Sequence, residues 1–345
     1  MAKKPTRAAY PAHYDLLEVS PRARHSVIQA AYRALSKEHH PDQPNGDAKL
    51  FGQIASAYEV IGDSDKRAAY DQSAKTSCGD MVGNYRIISE IAEGGFGTTY
   101  LGEHIVAQEP VCIKHCHQVS AMHQETLIQE AKAIWDLRHY SLPVMRDFVK
   151  LDDGSLALVM SYIPGLTLEK IIEREKRLDP EDVAWITQRV LDALKYLHYN
   201  GVVHGDIKPQ NIIVQEETHS IVLVDFGLSV VKPTRNSGAK GYTPVYASPE
   251  QLGDTPLLPQ SDFYSLALTM LYALSGDIDK ARALRVPDVV PKPLCEFFLS
   301  FLTRSPLGRP SWDREDLVDS LKKVRLESFG RIRTNLKCIS GSSSH

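Results

Sequence analysis

Residues 202–229 read VVHGDIKPQNIIVQEETHSIVLVDFGLS. Two polar loops are bracketed there by β-branched apolar runs, which read as short strands. The first loop holds Asp206, Lys208 and Asn211, and the second holds Asp225. A carboxylate, an ammonium and an amide within six residues, followed by a second carboxylate, make a site for a divalent cation and a phosphate. Any one of these residues would pass as an ordinary loop polar group. The set, in this order, does not.

Upstream, IAEGGFGTTY (91–100) lies between two predicted strands, and its glycines let a hairpin bring backbone N–H groups close to phosphates. Lys114 falls on the next apolar strand, VCIK, where a buried ammonium is costly without an anion. Glu130, in IQEAKAI on the helix that follows, supplies one. YRIISEI, TTYLGEH and PVCIKHC read as strands, a helical stretch runs from about 123 to 137, and long helical patterns dominate from about 179. The pattern predicts a small β-rich lobe followed by a larger α-rich one. CIKHCH invites a zinc reading, but strand alternation sends Cys112 and Cys116 to one face and His115 and His117 to the other, so the four cannot converge.

The N-terminal segment is helical. Ile28, Tyr32 and Leu35 recur at helix spacing, as do Phe51, Ile54, Tyr58 and Ile61, and QPNGD between them is a turn with Asp47 as an N-cap. KEHHPDQP (37–44) stops the first of these helices at Pro41, with His40 and Asp42 on either side, more chemistry than a bare turn needs. The stretch QSAKTSCGDMVGN has no period and reads as a linker. The predicted fold is multidomain: a small all-α helical hairpin at 10–72, a linker at 73–83, a bilobal α+β domain at 84–327 and a disordered tail at 328–345. The net charge is −3 over 345 residues with five cysteines. No apolar segment follows the basic start, and no apolar run nears the ~20 residues of a membrane span. These features point to a soluble cytoplasmic chain with no nucleic-acid or membrane partner.

From about Asn84 to about Glu327 the chain resembles the eukaryotic-type serine/threonine protein kinases. That resemblance implies the bilobal kinase fold and transfer of phosphate from ATP, with Mg²⁺, to a serine or threonine of a protein substrate. By it Gly94, Gly95 and Gly97 cover the phosphates, and Ile91, Thr99 and Cys112 line the nucleotide. Lys114 pairs with the phosphates and Glu130, and Ser161 and Ile163, after Met160, form the adenine hinge. Asp206 accepts the proton of the substrate hydroxyl, Lys208 steadies the transferred group, and Asn211 and Asp225 hold Mg²⁺. Glu250 of YASPE pairs with Arg309 of GRPS, and Asp262 anchors the catalytic-loop backbone. DIKPQN and TPVY around Thr243 resemble serine/threonine rather than tyrosine kinases, and GGFGTTYL looks bacterial. Three positions depart from the family: Ala92 replaces a glycine, Thr99 a valine, and Gly205 the arginine before the catalytic aspartate. A phosphorylated activation segment docks on that arginine where it is present. Its absence implies turnover that does not depend on phosphorylation of Ser229, Thr234 or Ser237.

Residues 12 to 72 resemble a J-domain through YDLLEVSPRA, AAYRAL, His40-Pro41-Asp42 and KRAAYD. The resemblance implies that the loop at 40–42, with Arg33 and Lys37 on the preceding helix, engages a DnaK-type chaperone. Gln29, Ala30, Ala34, Glu38 and Gln43 fall where lysine or arginine is frequent, so the basic approach surface is thinned. The whole chain reads as a serine/threonine kinase whose J-domain recruits a chaperone or its clients. The open alternative is a J-domain co-chaperone with a catalytically inert kinase-like scaffold.

Overall fold

Apolar spacing places the first helices, α1 (Ala12–Leu16), α2 (His25–Glu38) and α3 (Ala48–Ile61). The computed structural model describes residues 12–20, 23–39, 47–67, 70, 81–94, 97–116, 121–215, 218–234, 237–253 and 255–337. It divides into two units, Met1–His115 and Cys116–His345.

In the first unit Tyr14, Leu17, Val19, Ile28, Ile54, Ala57 and Ile61 form one buried cluster. Each large side chain removed from water in this way contributes about 1.5–3 kcal/mol, which holds so short a set of helices together. Tyr32 and Tyr58 stack across α2 and α3 with centroids 4.0 Å apart. Asp47 caps α3 by accepting the Leu50 N–H at 3.0 Å. Arg67 ties both ends of the segment, donating to Tyr14 Oη and to the Ala23 carbonyl, each at 2.9 Å. Arg33 and Lys37 are exposed on α2. His40, Pro41 and Asp42 lie outside the described residues, as do residues 73–80 of the expected linker.

Four antiparallel strands complete this unit in the order β1 (Met81–Val82), β2 (Tyr85–Gly94), β3 (Gly97–His104) and β4 (Pro110–Cys116). Gly94 faces Gly97 across the β2–β3 turn, and Gly97 has φ +140°, a conformation open to glycine. Gly95 is outside the described residues. Thr99 pairs with Ala92 on one side and Lys114 on the other. Along β4, Val111 and Ile113 are buried while Cys112 and Lys114 are half-buried. Ile91 is exposed.

The second unit opens with α4 (Ala121–Ile134) and the hairpin β5 (Met145–Lys150) and β6 (Leu156–Ser161). After β7 (Leu166–Thr167) come α5 (Leu168–Glu175) and α6 (Pro180–Tyr199). Four short strands follow: β8 (Val202–Val203), β9 (Ile212–Gln215), β10 (Ser220–Leu223) and β11 (Val230–Val231). They form two small sheets, β10-β9-β7 and β11-β8. The remainder is helical: α7 (Pro249–Leu252), α8 (Pro259–Ser275), α9 (Ile278–Arg282), α10 (Lys292–Phe301) and α11 (Leu317–Phe329). Phe263, Leu266, Ala267, Met270 and Leu271 of α8 are all buried, as expected of a helix apolar on most of its surface. Among the described residues no helix is long and apolar enough to cross a membrane.

One expectation is corrected. The chain beyond Glu327 is not featureless: α11 runs to Phe329, ends at Gly330 with φ +66°, and residues 331–337 pack on the start of α6. Arg331 forks onto Glu181 at 3.1 and 2.9 Å, and Arg333 and the Lys337 N–H meet Asp182. Trp185 Nε1 donates to the Thr334 carbonyl at 2.8 Å, and Leu336 is fully buried. Low-complexity composition confined to SGSSSH misrepresents the residues before it. The tail buries Leu336 fully and covers Glu181 and Asp182 with Arg331, Arg333 and the Lys337 N–H. Deleting residues 328–345 loses that burial and should lower stability by about 3 kcal/mol, and the melting temperature by roughly 6–12 °C at ~2–4 °C per kcal/mol. The Arg331 guanidinium holds the Glu181 carboxyl below its ordinary value of 4.5. The tail's contribution is thus full above that pH and shrinks as pH falls below it. Calorimetry of both chains across pH 3.5–7 checks both statements.

Candidate active site

The loop between β8 and β9 is built on one buried carboxylate. Asp262, in the first turn of α8, is 1% exposed. Its Oδ2 accepts the His204 N–H at 2.9 Å and its Oδ1 the Gly205 N–H at 2.8 Å. His198 Nε2 lies 2.8 Å from the same carboxylate, while Trp312 Nε1–H donates to His198 Nδ1 at 2.8 Å. Because Nδ1 accepts from the indole, the imidazole proton sits on Nε2 and points at Asp262. The buried charge is thus covered by three donors, two of them backbone.

His204 follows a similar logic. Burial depresses its pKa against the pull of Asp262, Asp206 and Asp225. The ring stays neutral, with Nε2 on the Val224 carbonyl at 3.2 Å and Nδ1 accepting the Asp206 N–H at 3.3 Å.

Asp206 is therefore presented from a loop fixed on both sides. Its Oδ1 accepts from Thr243 Oγ1 at 2.7 Å, and Lys208 Nζ lies 2.7 Å from its Oδ2. Lys208 also donates to Thr243 Oγ1 at 3.0 Å, closing a triangle of carboxylate, ammonium and hydroxyl. Asn211 Nδ2 donates to the Asp206 carbonyl at 2.8 Å and to its carboxylate at 3.1 Å. The Val224 N–H bonds to the Asn211 carbonyl at 2.9 Å, which sets the second loop beside the first. Asp225 itself has φ +65°, a strained geometry of the kind that clusters at functional sites.

The predicted brace is also present. Arg309 grips Glu250 through Nη1 and Nη2 at 2.6 and 2.9 Å, with Ser261 Oγ adding a third bond at 2.7 Å. Burial pushes the Glu250 carboxyl up, but the Arg309 guanidinium and the Ser261 hydroxyl outweigh it and hold the carboxyl below its ordinary range. Ser161 is tied to Val144, its N–H donating at 2.8 Å and its Oγ accepting at 2.9 Å. Met160 is buried, Ile163 half-buried, and Glu130 is buried on α4. Ile91, Gly94, Gly97, Thr99, Cys112 and Lys114 belong to the first unit and its β2–β4 strands.

A family model described as protein kinase domain matches residues 85–281. The chain belongs to the protein kinase family. A second model, the DnaJ domain, matches residues 12–71. Among characterised relatives, the chain is similar to serine/threonine-protein kinase pkn3 of Myxococcus xanthus, 29% identical over 259 residues, covering 66% of this chain and 47% of that one. It is similar to serine/threonine-protein kinase PkaB of Streptomyces coelicolor, 35% identical over 199 residues, 54% of this chain and 47% of that one. Serine/threonine-protein kinase F of Synechocystis sp. is 31% identical over 222 residues, 57% of this chain and 44% of that one. The chain spans about half the length of these relatives.

Several kinase residues were not anticipated from sequence. Thr243 was noted for its motif, not as the hydroxyl that joins Asp206 to Lys208. His198 and Trp312 carry no local signal, because their partners, Asp262 for His198 and His198 for Trp312, are far along the chain. Gln251, next to the recognised Glu250, donates to the Gly205 carbonyl at 2.8 Å. Ser229 stands apart from Thr234 and Ser237: it is fully buried, with Oγ on the His204 carbonyl at 3.0 Å. It is part of the framework, so independence from phosphorylation has to be judged at Thr234 and Ser237.

Gly205 is shaped for glycine. Its φ is +77°, and a Cβ there would lie 2.9 Å from the Leu228 carbonyl and 3.1 Å from Leu257 Cδ2. Gly205→Ala should cost about 1–3 kcal/mol from the left-handed backbone and the contact together. Denaturant unfolding reads this directly, and an alanine variant as stable as the parent would show the turn to be free to relax.

Proposed function

We propose that this chain transfers the γ-phosphoryl group of ATP to serine or threonine hydroxyls of proteins, and that its N-terminal J-domain brings a DnaK-type chaperone or a bound client to the kinase. The observation that carries the first part is the Asp206 cluster. A carboxylate held by Thr243, Lys208 and Asn211 on a loop with every backbone anchor satisfied is a proton acceptor fixed in position. Phosphoryl transfer asks mainly for positioning and charge neutralisation, which such a cluster supplies.

In this reading the substrate hydroxyl gives its proton to Asp206 while Lys208 stabilises negative charge beside it. Asn211 commits its amide nitrogen to Asp206, which leaves its oxygen as the ligating end. With the Asp225 carboxylate it forms a set of hard oxygen donors, and that chemistry suits Mg²⁺. Mg²⁺, when bound, neutralises charge on the phosphates. Gly94, Gly95, Gly97 and Lys114 would serve those phosphates, Glu130 would pair with Lys114, and Ile91, Thr99, Cys112, Ser161 and Ile163 would serve the adenine side. An inert scaffold would have no use for a proton acceptor and a metal carboxylate kept in register.

Asp206→Asn preserves shape and removes the acceptor. Transfer of labelled phosphate from ATP, to the chain itself and to a serine peptide, should fall by at least ~100-fold. Equal labelling by the two forms would defeat the catalytic reading and leave the scaffold.

The J-domain part rests on the domain match, with Arg33 and Lys37 exposed on α2. Tethering raises the effective concentration of a captured protein without any new contact at the kinase site. His40→Gln should lower phosphorylation of a DnaK-type chaperone or its client in a mixture and leave the rate on free peptide unchanged. Identical rates in both assays would remove the recruitment role.

A further inference from the structure

Gly205 takes away the cation that would receive a phosphate on the segment between Asp225 and Glu250, and yet that segment is anchored. The Leu257 N–H donates to the Ser237 carbonyl at 3.2 Å, and the Thr234 N–H to Ser237 Oγ at 2.8 Å. Ser229 is wholly buried, and its carbonyl receives Lys240 Nζ at 2.5 Å. A surface lysine ordinarily leaves its ammonium in water and buries only its stem. Lys240 is exposed as a residue and yet sets its ammonium on a buried carbonyl. Burial there depresses its pKa, opposed by the carboxylates of Glu125 and Glu130 on α4. The next residue, Gly241, packs so closely on Leu228 that a Cβ would lie 3.1 Å from Leu228 Cδ2.

We propose that Lys240 is a positioning residue whose ammonium, seated on the Ser229 carbonyl, fixes the activation segment without phosphorylation. The polarity is the inverse of the arginine–phosphate arrangement: the cation rides on the segment itself, and its acceptor is a buried backbone carbonyl. The restraint reaches the catalytic loop directly, because the hydroxyl of the same Ser229 holds the His204 carbonyl. Glu125 and Glu130 add a longer-range attraction from α4, the helix that carries the glutamate assigned to Lys114. The inference rests on the kinase reading for its effect on rate, though not for its effect on order within the segment.

Lys240→Met keeps the stem and removes the charge. In the full chain we expect kcat for a serine peptide to fall about tenfold or more, with KM for ATP within about twofold. Amides of residues 229–243 should exchange hydrogen about tenfold faster at an unchanged melting temperature. Lys240→Arg, which keeps a cationic donor for the Ser229 carbonyl, should retain much of the rate and protection that Lys240→Met loses. Wild-type kcat and wild-type exchange in Lys240→Met overturn the proposal. If Lys240→Met does not fold, Lys240→Gln takes its place, and unchanged exchange across 229–243 in that variant overturns the proposal equally. A parent chain that transfers no phosphate would refute the kinase reading alone, since hydrogen exchange still decides the role of Lys240.

Discussion

A negative charge without water, at Asp262, is the constraint around which the catalytic half is organised. An ion withdrawn from solvent must be covered by donors or it neutralises or unfolds its surroundings. Here the available donors are the N–H groups of His204 and Gly205, so covering the charge and shaping the loop are one event. The fold cannot satisfy Asp262 without presenting Asp206 one residue later. Precision at the Asp206 carboxylate is therefore inherited from a residue buried behind the loop.

The same device recurs. Glu181 and Asp182 open α6, Glu250 opens α7 and Asp262 opens α8. An acid in a first helical turn is favoured by the partial positive charge of the free N–H groups there, typically by about 0.3–1 kcal/mol. Burial then creates a demand that helix dipoles alone do not meet, and each acid finds a partner distant in sequence: Arg331 and Arg333, Arg309, and the 204–205 backbone with His198. Helix starts thus serve as the points where remote parts of the chain are joined. Distance in sequence is what makes these joints hard to foresee.

That distinction separates what was legible from what was not. Asp206, Lys208, Asn211 and Asp225 lie within twenty residues, on loops flanked by unmistakable strand runs, and the first three meet in one hydrogen-bonded cluster. The J-domain hairpin was equally readable, because Ile28, Ile54 and Ile61 keep helical spacing and meet in one core. Glu250 and Arg309 were matched only through family motifs, and nothing local marks them as partners. The link from Trp312 through His198 had no such motif. The tail was misread because its last residues are small and polar, while Arg331, Arg333 and Leu336 are recognisable as docking groups only when α6 is seen beside them. At Gly205 sequence reading registered a missing arginine; backbone geometry adds that the turn is strained for any residue with a side chain.

The indole of Trp312 has one more consequence. The chain holds three tryptophans, and their surroundings differ sharply: Trp135 is 55% exposed, Trp185 is 1% exposed, and Trp312 donates its N–H to the imidazole that contacts Asp262. A chromophore wired in this way senses the hydrogen bonding of its neighbour, so its emission carries information about the loop two bonds further on. The protein thus carries an intrinsic chromophore tied to the loop that presents Asp206, with no label to be added.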